Sequence, residues 1–439
     1  MNVMTSRKQR HEKSVRAFTN ARDYLVGGVN SPVRAFGGVD INPVFVAAAN
    51  GSKIYDIDGN EYIDYVCSWG PMILGHAHPK VLKAIESAAQ KGASFGAPTL
   101  AETELAKKIV TAFDSIEKVR LVSSGTEAVM TAIRLARAYT KRDLIIKMAG
   151  CYHGHSDSLL VAAGSGLAEG SIASSAGVPD EIAKLTIVIP YNDKDAAEAT
   201  FRKQEGKIAA ILVEPVAANM GVVPPVNGYL QALRDLCDRN DAVLIFDEVI
   251  TGFRVAYGGA QELFNVRADI TCLGKIIGGG LPAAAFGGRA DIMDMLAPVG
   301  SVYQAGTLSG NPIATAAANA TLEILGKGDC YRELESRTAM LEAGFAEAAK
   351  DAGVPVTINR VGSIMSCFFT DKPVRNFVDV QSTDIAFFKK FFAEMLRQGI
   401  YLAPSAYEAM FVSLAHTQKD IERTIEAAKN SFGKIKNEK

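Results

Sequence analysis

Two nearby stretches decide the fold: DAVLIFDEVITGFR at residues 241–254 and ADITCLGKIIGGG at residues 268–280. The apolar run of the first, 242–246, ends in two carboxylates, Asp247 and Glu248, and the apolar run of the second, 270–273, is soon followed by Lys275. Short β-branched runs of this kind are typical of buried strands, and open α/β sheets bind ligands at the carboxyl ends of their strands. We therefore expect an acid and an amine at one sheet edge. The alternatives are a solvated loop lysine and a helix-capping Asp-Glu pair.

The composition excludes several classes of protein. The chain has 439 residues, of which 48% are hydrophobic and 22% charged, and its formal net charge is -1. This length suggests two or three domains, and the balanced charge argues against partners held by charge, such as nucleic acid or a membrane surface. Six cysteines without a CxxC pair indicate neither a disulfide framework nor a zinc site. With no membrane-length apolar run and no secretory signal, we expect a cytoplasmic protein.

Strand-like and helix-like segments alternate through the middle of the chain, at 143–148, 185–189, 208–213 and 229–240 among others. This alternation predicts right-handed βαβ units, a mostly parallel sheet and helices on both faces. The last part has long helical patterns and short strands, which indicates a smaller α+β domain. We divide the chain into an N-terminal segment (1–70), a large α/β domain (71–325) and a C-terminal domain (326–439).

A small-residue turn, Ser124-Gly125-Thr126, joins a predicted strand to a predicted helix. Unpaired N–H groups and the positive end of the helix dipole favour a phosphate there. The alternative is an ordinary N-cap. Neither the dinucleotide glycine fingerprint nor a Walker lysine is present.

Several loops carry further candidate residues. Tyr152 and His153 follow a strand and could stack on a flat ring. Alternatively, His153 and His155 could be metal ligands, although the set is incomplete. The Gly-, Ser- and Ala-rich stretch 162–179 is either a lid or a disordered segment. Arg34 lies in a Gly- and Pro-broken stretch and is either a surface charge or a fork for a carboxylate.

An acid, a lysine and a phosphate cup are the parts that pyridoxal phosphate chemistry needs. Four motifs carry a resemblance to a known family: SSGTEA (123–128), YHGH (152–155), FDEV (246–249) and GKIIGGGLP (274–282). Together they resemble the class III aminotransferases, which are fold-type I pyridoxal-phosphate enzymes. The likeness extends from about residue 25 to the C-terminus. It implies that Lys275 binds the cofactor aldehyde and moves protons and that Asp247 faces the pyridinium nitrogen. The other implied cofactor-binding residues are Ser124, Gly125, Thr126, Tyr152, Asn219 and, from a partner subunit, Thr307.

Three further stretches are similar to the branch of this family that moves an amino group within one molecule. They are VNSPVRAFGG (29–38), YQAGTLSGNP (303–312) and GIYLAPSAYEA (399–409). This resemblance implies conversion of (S)-4-amino-5-oxopentanoate to 5-aminolevulinate through 4,5-diaminovalerate, in tetrapyrrole biosynthesis, with pyridoxamine phosphate as the starting form of the cofactor. It also implies a homodimer, no metal, and handover of the substrate from the glutamyl-tRNA-dependent enzyme that makes it. The implied substrate-binding residues are Ser31, Arg34, Trp69, Ser165, Tyr303 and Glu408.

Two readings compete with this one. The chain could be an ω-aminotransferase or an amino-acid racemase on the same scaffold, or a pyridoxal-phosphate-binding regulatory module without turnover. Ile250 departs from the family pattern, which has methionine there, and Met410 stands where glycine is usual. Neither departure removes a catalytic group.

Overall fold

The computed structural model describes residues 11–163 and 171–437. Within these residues the strands, in chain order, are β1 (Val46–Asn50), β2 (Lys53–Asp56), β3 (Glu61–Asp64), β4 (Lys118–Val122), β5 (Leu144–Met148), β6 (Val161–Ala163), β7 (Ser171–Ala173), β8 (Thr186–Ile189), β9 (Ile208–Val213), β10 (Val243–Glu248), β11 (Ile270–Leu273), β12 (Ala284–Gly288), β13 (Thr357–Val361), β14 (Ile364–Phe368), β15 (Ile400–Tyr401) and β16 (Met410–Phe411).

The α-helices of the described residues are α1 (Glu12–Ala21), α2 (Pro79–Ala89), α3 (Leu100–Ala112), α4 (Gly125–Thr140), α5 (Asp180–Ala183), α6 (Lys194–Lys203), α7 (Tyr229–Arg239), α8 (Gly259–Phe264), α9 (Ala290–Met293), α10 (Pro312–Leu325), α11 (Cys330–Ala352), α12 (Phe377–Gln381), α13 (Ile385–Arg397) and α14 (Gln418–Asn437). None of them is both long and apolar enough to cross a bilayer.

The central sheet has seven strands in the order β4-β12-β11-β10-β9-β5-β8. Every neighbouring pair from β11 to β8 is parallel, and only β12 runs antiparallel to its neighbours β11 and β4. Alternate residues of β10 point to opposite faces: Leu244 and Phe246 pack in one core with α7, whereas Val243 and Ile245 pack in another with α4. The predicted α/β class, with helices on both faces of a mostly parallel sheet, is confirmed.

The parallel register of β10 and β11 places the opening pair of residues at one sheet edge. Asp247 lies opposite Cys272 and Glu248 opposite Leu273. Lys275 follows two residues beyond the end of β11, where the chain turns into a short 3-10 helix. The acid and the lysine therefore leave neighbouring strands at their carboxyl ends, as the sequence predicts.

The N-terminal strands share a sheet with the C-terminal part of the chain. Strands β1, β2 and β3 form an antiparallel meander, and β15 adds to β3 in parallel. Tyr62 and Ile63 of β3 lie in the same core cluster as Phe345 of α11 and Phe432 of α14. The two ends of the chain are thus joined by one core, and the domain boundaries at 70/71 and 325/326 stay a prediction.

The stretch 162–179, expected to be a lid or a disordered segment, contains parts of two short strands. Strands β6 and β7 pair in an antiparallel hairpin, and residues 164–170 between them lie outside the described residues. Small residues have weak strand propensity, which explains why the sequence did not predict this pairing.

Candidate active site

A cavity of 290 Å³ opens at the carboxyl edge of the central sheet. Five segments that follow strands or begin helices contribute to its wall. The lining residues that the sequence had singled out are Ser124, Gly125, Thr126, Tyr152, Asn219, Asp247 and Lys275. One concave site thus gathers, from across the described chain, groups that are far apart in sequence.

Asp247 is the acid that faces the cavity, and it is 5% exposed. Its Oδ2 lies 2.7 Å from His153 Nδ1, and its Oδ1 accepts a hydrogen bond of 3.1 Å from the N–H of Val249. Glu248 points to the opposite face, where it accepts hydrogen bonds from the N–H of Ala260 (2.6 Å) and the hydroxyl of Thr251 (2.8 Å). The strand alternation therefore gives the two neighbouring acids different surroundings.

Lys275 enters the cavity from a strained backbone. Its φ is +48°, in the left-handed region that side-chain-bearing residues seldom adopt, and such strain is found at functional sites. Gly274 before it passes close to Val249, whose Cγ1 would lie 3.2 Å from a Cβ at that position.

Burial lowers the pKa of the Lys275 amine, and the charges of Asp247, Glu214 and Glu408 oppose this shift. Desolvation dominates, so the neutral amine is favoured relative to a lysine in water. A neutral amine is the form that acts as a nucleophile or a base.

The phosphate cup predicted at the start of α4 is also a capping box. Ser124 Oγ accepts a hydrogen bond of 3.2 Å from the N–H of Glu127, whose carboxylate accepts hydrogen bonds from the N–H groups of Ser123 and Ser124. The cap and the anion site coexist, because Gly125 and Thr126 still open α4 on the cavity side. The dipole of a 16-residue helix adds to their N–H groups.

Glu214 organises the opposite wall. Buried after β9, it accepts hydrogen bonds from the N–H groups of Tyr152 (2.8 Å) and Ala218 (2.9 Å). Asn219 Nδ2 donates to both of its carboxylate oxygens, at 3.0 Å each. Burial raises the pKa of Glu214. One carboxylate thereby fixes the backbone under Tyr152 and the amide of Asn219.

The residues predicted for substrate binding that the structure describes are not among those that line this cavity. Glu408 is close enough to Lys275 for the two charges to interact. Burial and, to a smaller extent, the charge of Glu214 raise the pKa of Glu408, the charge of Lys275 opposes this rise, and the net pKa is about 7. Tyr303 is 73% exposed on a loop. Ser165 lies outside the described residues. Of the other predicted residues, Ser31 and Trp69 are half-buried, and Arg34 and Thr307 are exposed.

His153 is the main contact that sequence reasoning did not assign. The sequence left it between ring stacking and an incomplete metal site, and the structure directs its Nδ1 to Asp247 instead. His153 follows β5 and Asp247 ends β10, and these two strands are separated only by β9. Knowledge of the strand order would have suggested the pair.

Comparisons with known proteins agree with this geometry. Residues 37–431 match the family model for aminotransferase class-III. A glutamate-1-semialdehyde 2,1-aminomutase from Desulforamulus reducens is 57% identical over 96% of this chain and 98% of its own length.

Two solved structures are similar over nearly their whole length. An omega-transaminase from Sphaerobacter thermophilus has a TM-score of 0.90 at 31% identity, covering 95% of this chain and 97% of its own. A glutamate-1-semialdehyde-aminomutase from Pseudomonas aeruginosa has a TM-score of 0.87 at 27% identity, covering 97% and 95%. Another structure of the Pseudomonas enzyme, of a variant, is a complex with PMP. The chain belongs to the class-III aminotransferase family.

Proposed function

We propose that this protein is a pyridoxal-phosphate-dependent enzyme that converts glutamate 1-semialdehyde to 5-aminolevulinate by way of 4,5-diaminovalerate. The observation that carries the proposal is the meeting of Lys275, Asp247 and the start of α4 in one cavity. The relatives that share more than half of their sequence with this chain, among them the Desulforamulus enzyme, support the choice of substrate.

The residues that line the cavity suit pyridoxal phosphate or pyridoxamine phosphate. Asp247, fixed by His153, supplies an anion for the pyridinium nitrogen, and Gly125 and Thr126 present helix N–H groups to the phosphate. A Cβ on Gly125 would lie 3.1 Å from Val249 Cγ2, so only a glycine leaves this part of the cup open. Tyr152 lines the cavity with half its surface exposed and can cover one ring face.

When bound, the cofactor supplies an electron sink that makes a neighbouring C–H bond acidic. Asp247 would face the ring nitrogen, where a carboxylate favours the protonated ring. Lys275 Nζ is the base in reach, and burial favours its neutral form. It delivers a proton to the carbon that carried the aldehyde and removes one from the carbon that carried the original amine. With these two proton transfers the amino and carbonyl groups exchange positions, because the first carbon gains its amino group from the cofactor and the second carbon loses its amino group to it.

The assembly is proposed to be a homodimer in the cytoplasm that receives its substrate from the glutamyl-tRNA-dependent enzyme. Support for the dimer comes from the exposed side chains of Tyr303 and Thr307 on a loop that is anchored at Gln304 by Arg120 (2.9 Å). A two-fold interface would direct this loop to the partner's cavity. The cysteines are all free, which suits a reducing compartment.

The experiment is an assay of purified protein with glutamate 1-semialdehyde as the sole amino donor and acceptor. We expect 5-aminolevulinate to form without an added keto acid, and we expect the Lys275→Ala variant to lose this activity while folding normally. A requirement for 2-oxoglutarate or another external acceptor would instead identify an aminotransferase, the activity named for the Sphaerobacter neighbour. Full activity of Lys275→Ala would overturn the catalytic assignment.

A further inference from the structure

The chain makes an unusual turn at residues 67–70, the stretch that carries Trp69. Cys67, Ser68 and Trp69 have φ of +47°, +56° and +68°, and Gly70 has +111°. Three consecutive side-chain-bearing residues in the left-handed region are sterically disfavoured, and such a conformation persists only where surrounding contacts impose it. Two buried charged residues make those contacts.

Asp64 holds the entrance of the turn. Its Oδ1 accepts hydrogen bonds from the N–H groups of Val66 (2.8 Å) and Cys67 (3.2 Å), and its Oδ2 lies 2.7 Å from His76 Nε2. Asp64 is the last residue of β3, so the carboxylate is fixed to a sheet. The turn therefore begins from a rigid anchor, with the N–H groups of Val66, just before it, and of Cys67, its first residue, both bound.

Arg254 holds the exit of the turn. It is 1% exposed, and its guanidinium donates to the carbonyl oxygens of Gly70 and Val412, the latter at 2.9 Å. The same guanidinium lies 5.4 Å from the centre of the Phe411 ring. No carboxylate of the described residues forms an ion pair with Arg254. A buried cation without a counter-ion is unfavourable unless hydrogen bonds replace its lost hydration, so the carbonyl of Gly70 is one of the few groups that keep Arg254 in this position.

The turn is linked to the cavity through one apolar cluster. Cys67 packs in one apolar cluster with Ala218, Ile250 and Ala409. Ala218 precedes Asn219, Ile250 itself lines the cavity, and Ala409 follows Glu408. A shift of the turn would therefore change the position of Trp69 relative to the site.

We propose that Asp64 and Arg254 are positioning residues that impose the left-handed turn 67–70 and thereby set the position of the Trp69 indole beside the substrate. The effect on substrate rests on the proposed function. The effect on the indole does not, because it concerns only how the turn is held.

Trp69 is the only tryptophan of the chain, so the fluorescence of the holoenzyme, excited at the long-wavelength edge where tyrosine absorbs little, reports on this turn. The variants are Asp64→Asn, Arg254→Met and Arg254→Lys, the last of which keeps the charge. The matched control is Arg142→Met, because Arg142 also donates to backbone carbonyls, of Asn240 (2.6 Å) and Ile208 (3.2 Å), at the opposite edge of the sheet.

We expect Arg254→Met and Asp64→Asn to shift the Trp69 emission maximum and to increase quenching by acrylamide, with Arg254→Lys intermediate and Arg142→Met unchanged. Circular dichroism and the cofactor absorbance should stay as in the wild type. For the amino transfer we expect KM to rise by about tenfold, as for the loss of a buried charged hydrogen bond, with a smaller change in kcat.

Unchanged emission in folded Arg254→Met and Asp64→Asn would overturn the inference, whatever happens to activity. If the wild type has no amino-transfer activity but the variants still show the fluorescence changes, the proposed function fails and the positioning role stands. If Arg254→Met does not fold, Gly70→Ala replaces it, because its Cβ would lie 3.1 Å from Phe411 Cε1 and strain the same turn. Unchanged emission in that variant would refute the role equally.

Discussion

Glu408 gives the sharpest prediction of pH dependence. Burial, with a smaller contribution from Glu214, raises the pKa of this carboxyl from its ordinary 4.5 to about 7 against the opposing Lys275 charge. Between these two pH values the folded protein binds a proton that the unfolded chain has released. Stability contributed by the neutral carboxyl is therefore complete below pH 4.5 and lost as the pH rises through 7.

The magnitude follows from the size of the shift. At about 1.4 kcal/mol per tenfold change in proton affinity, the shift corresponds to about 3 kcal/mol. This is an upper figure, because the side chain keeps partial contact with solvent. An unfolding entropy of about 2 cal/mol/K per residue makes 1 kcal/mol equivalent to about 1 °C for a chain of this length. Glu408→Gln should thus unfold about 3 °C above the wild type at pH 8 and at the same temperature near pH 4.5.

The assay is the unfolding temperature of both holoenzymes, measured from about pH 3 to pH 8, so that the range extends well below the ordinary carboxyl pKa of 4.5. The matched control is Glu394→Gln, which tests the opposite sign. Burial raises the pKa of Glu394. The hydrogen bonds that it accepts from Arg397 and Lys434, together with their positive charges, outweigh this effect, so the net pKa is lowered. That variant should be destabilised at pH 8 and approach the wild type at low pH. A difference between Glu408→Gln and wild type that is constant with pH, or that follows the Glu394→Gln trend, would refute the reasoning.

Three further predictions test the site and the core. Borohydride reduction of the holoenzyme in its pyridoxal phosphate form should fix a pyridoxyl group on Lys275 and not on Lys147, which is also buried with a lowered pKa but donates to the carbonyl of Leu159. Peptide mass spectrometry locates the label, and a label on Lys147 alone would contradict the assignment. Asp247→Asn should reduce kcat by about 10²–10³-fold in steady-state assays while the cofactor absorbance persists, and near-normal kcat would show that the charge is dispensable. Phe345→Ala should cost about 3–5 kcal/mol in denaturant unfolding, because the ring is fully buried in the core that joins the two ends of the chain, and a loss below 1 kcal/mol would mean that this core is not limiting.

The sequence predicted those parts of the fold that depend on local pattern. The strand expected at 270–273 is β11 at the same residues, and β10 begins one residue after the expected start. Buried parallel strands appear in sequence as uninterrupted apolar runs, which makes them easy to locate. By contrast, β1 was not predicted, because its VAAAN sequence is rich in alanine and largely exposed.

The candidate site was predicted as a set of residues but not as a set of contacts. Asp247, Lys275 and Ser124 could be selected because each follows a strand, and parallel strands bring such positions to one edge. The contacts of His153 with Asp247 and of Glu214 with Tyr152 could not be selected, since they depend on which strands are neighbours. Strand order is set by tertiary packing, for which one chain's periodicity contains no signal.

The carboxylates around Lys275 explain why the same perturbation of Glu408 should also change the rate profile. Burial favours the neutral amine, and the charges of Asp247, Glu214 and Glu408 favour the ammonium form. Activity that needs a neutral amine rises with pH through the lysine pKa, so removing one negative charge lowers that pKa further. The acidic limb of the rate profile should therefore move to lower pH in Glu408→Gln and stay in place in the distant Glu394→Gln. Movement to higher pH would mean that Glu408 acts on the reaction as a proton donor and not through its charge on Lys275.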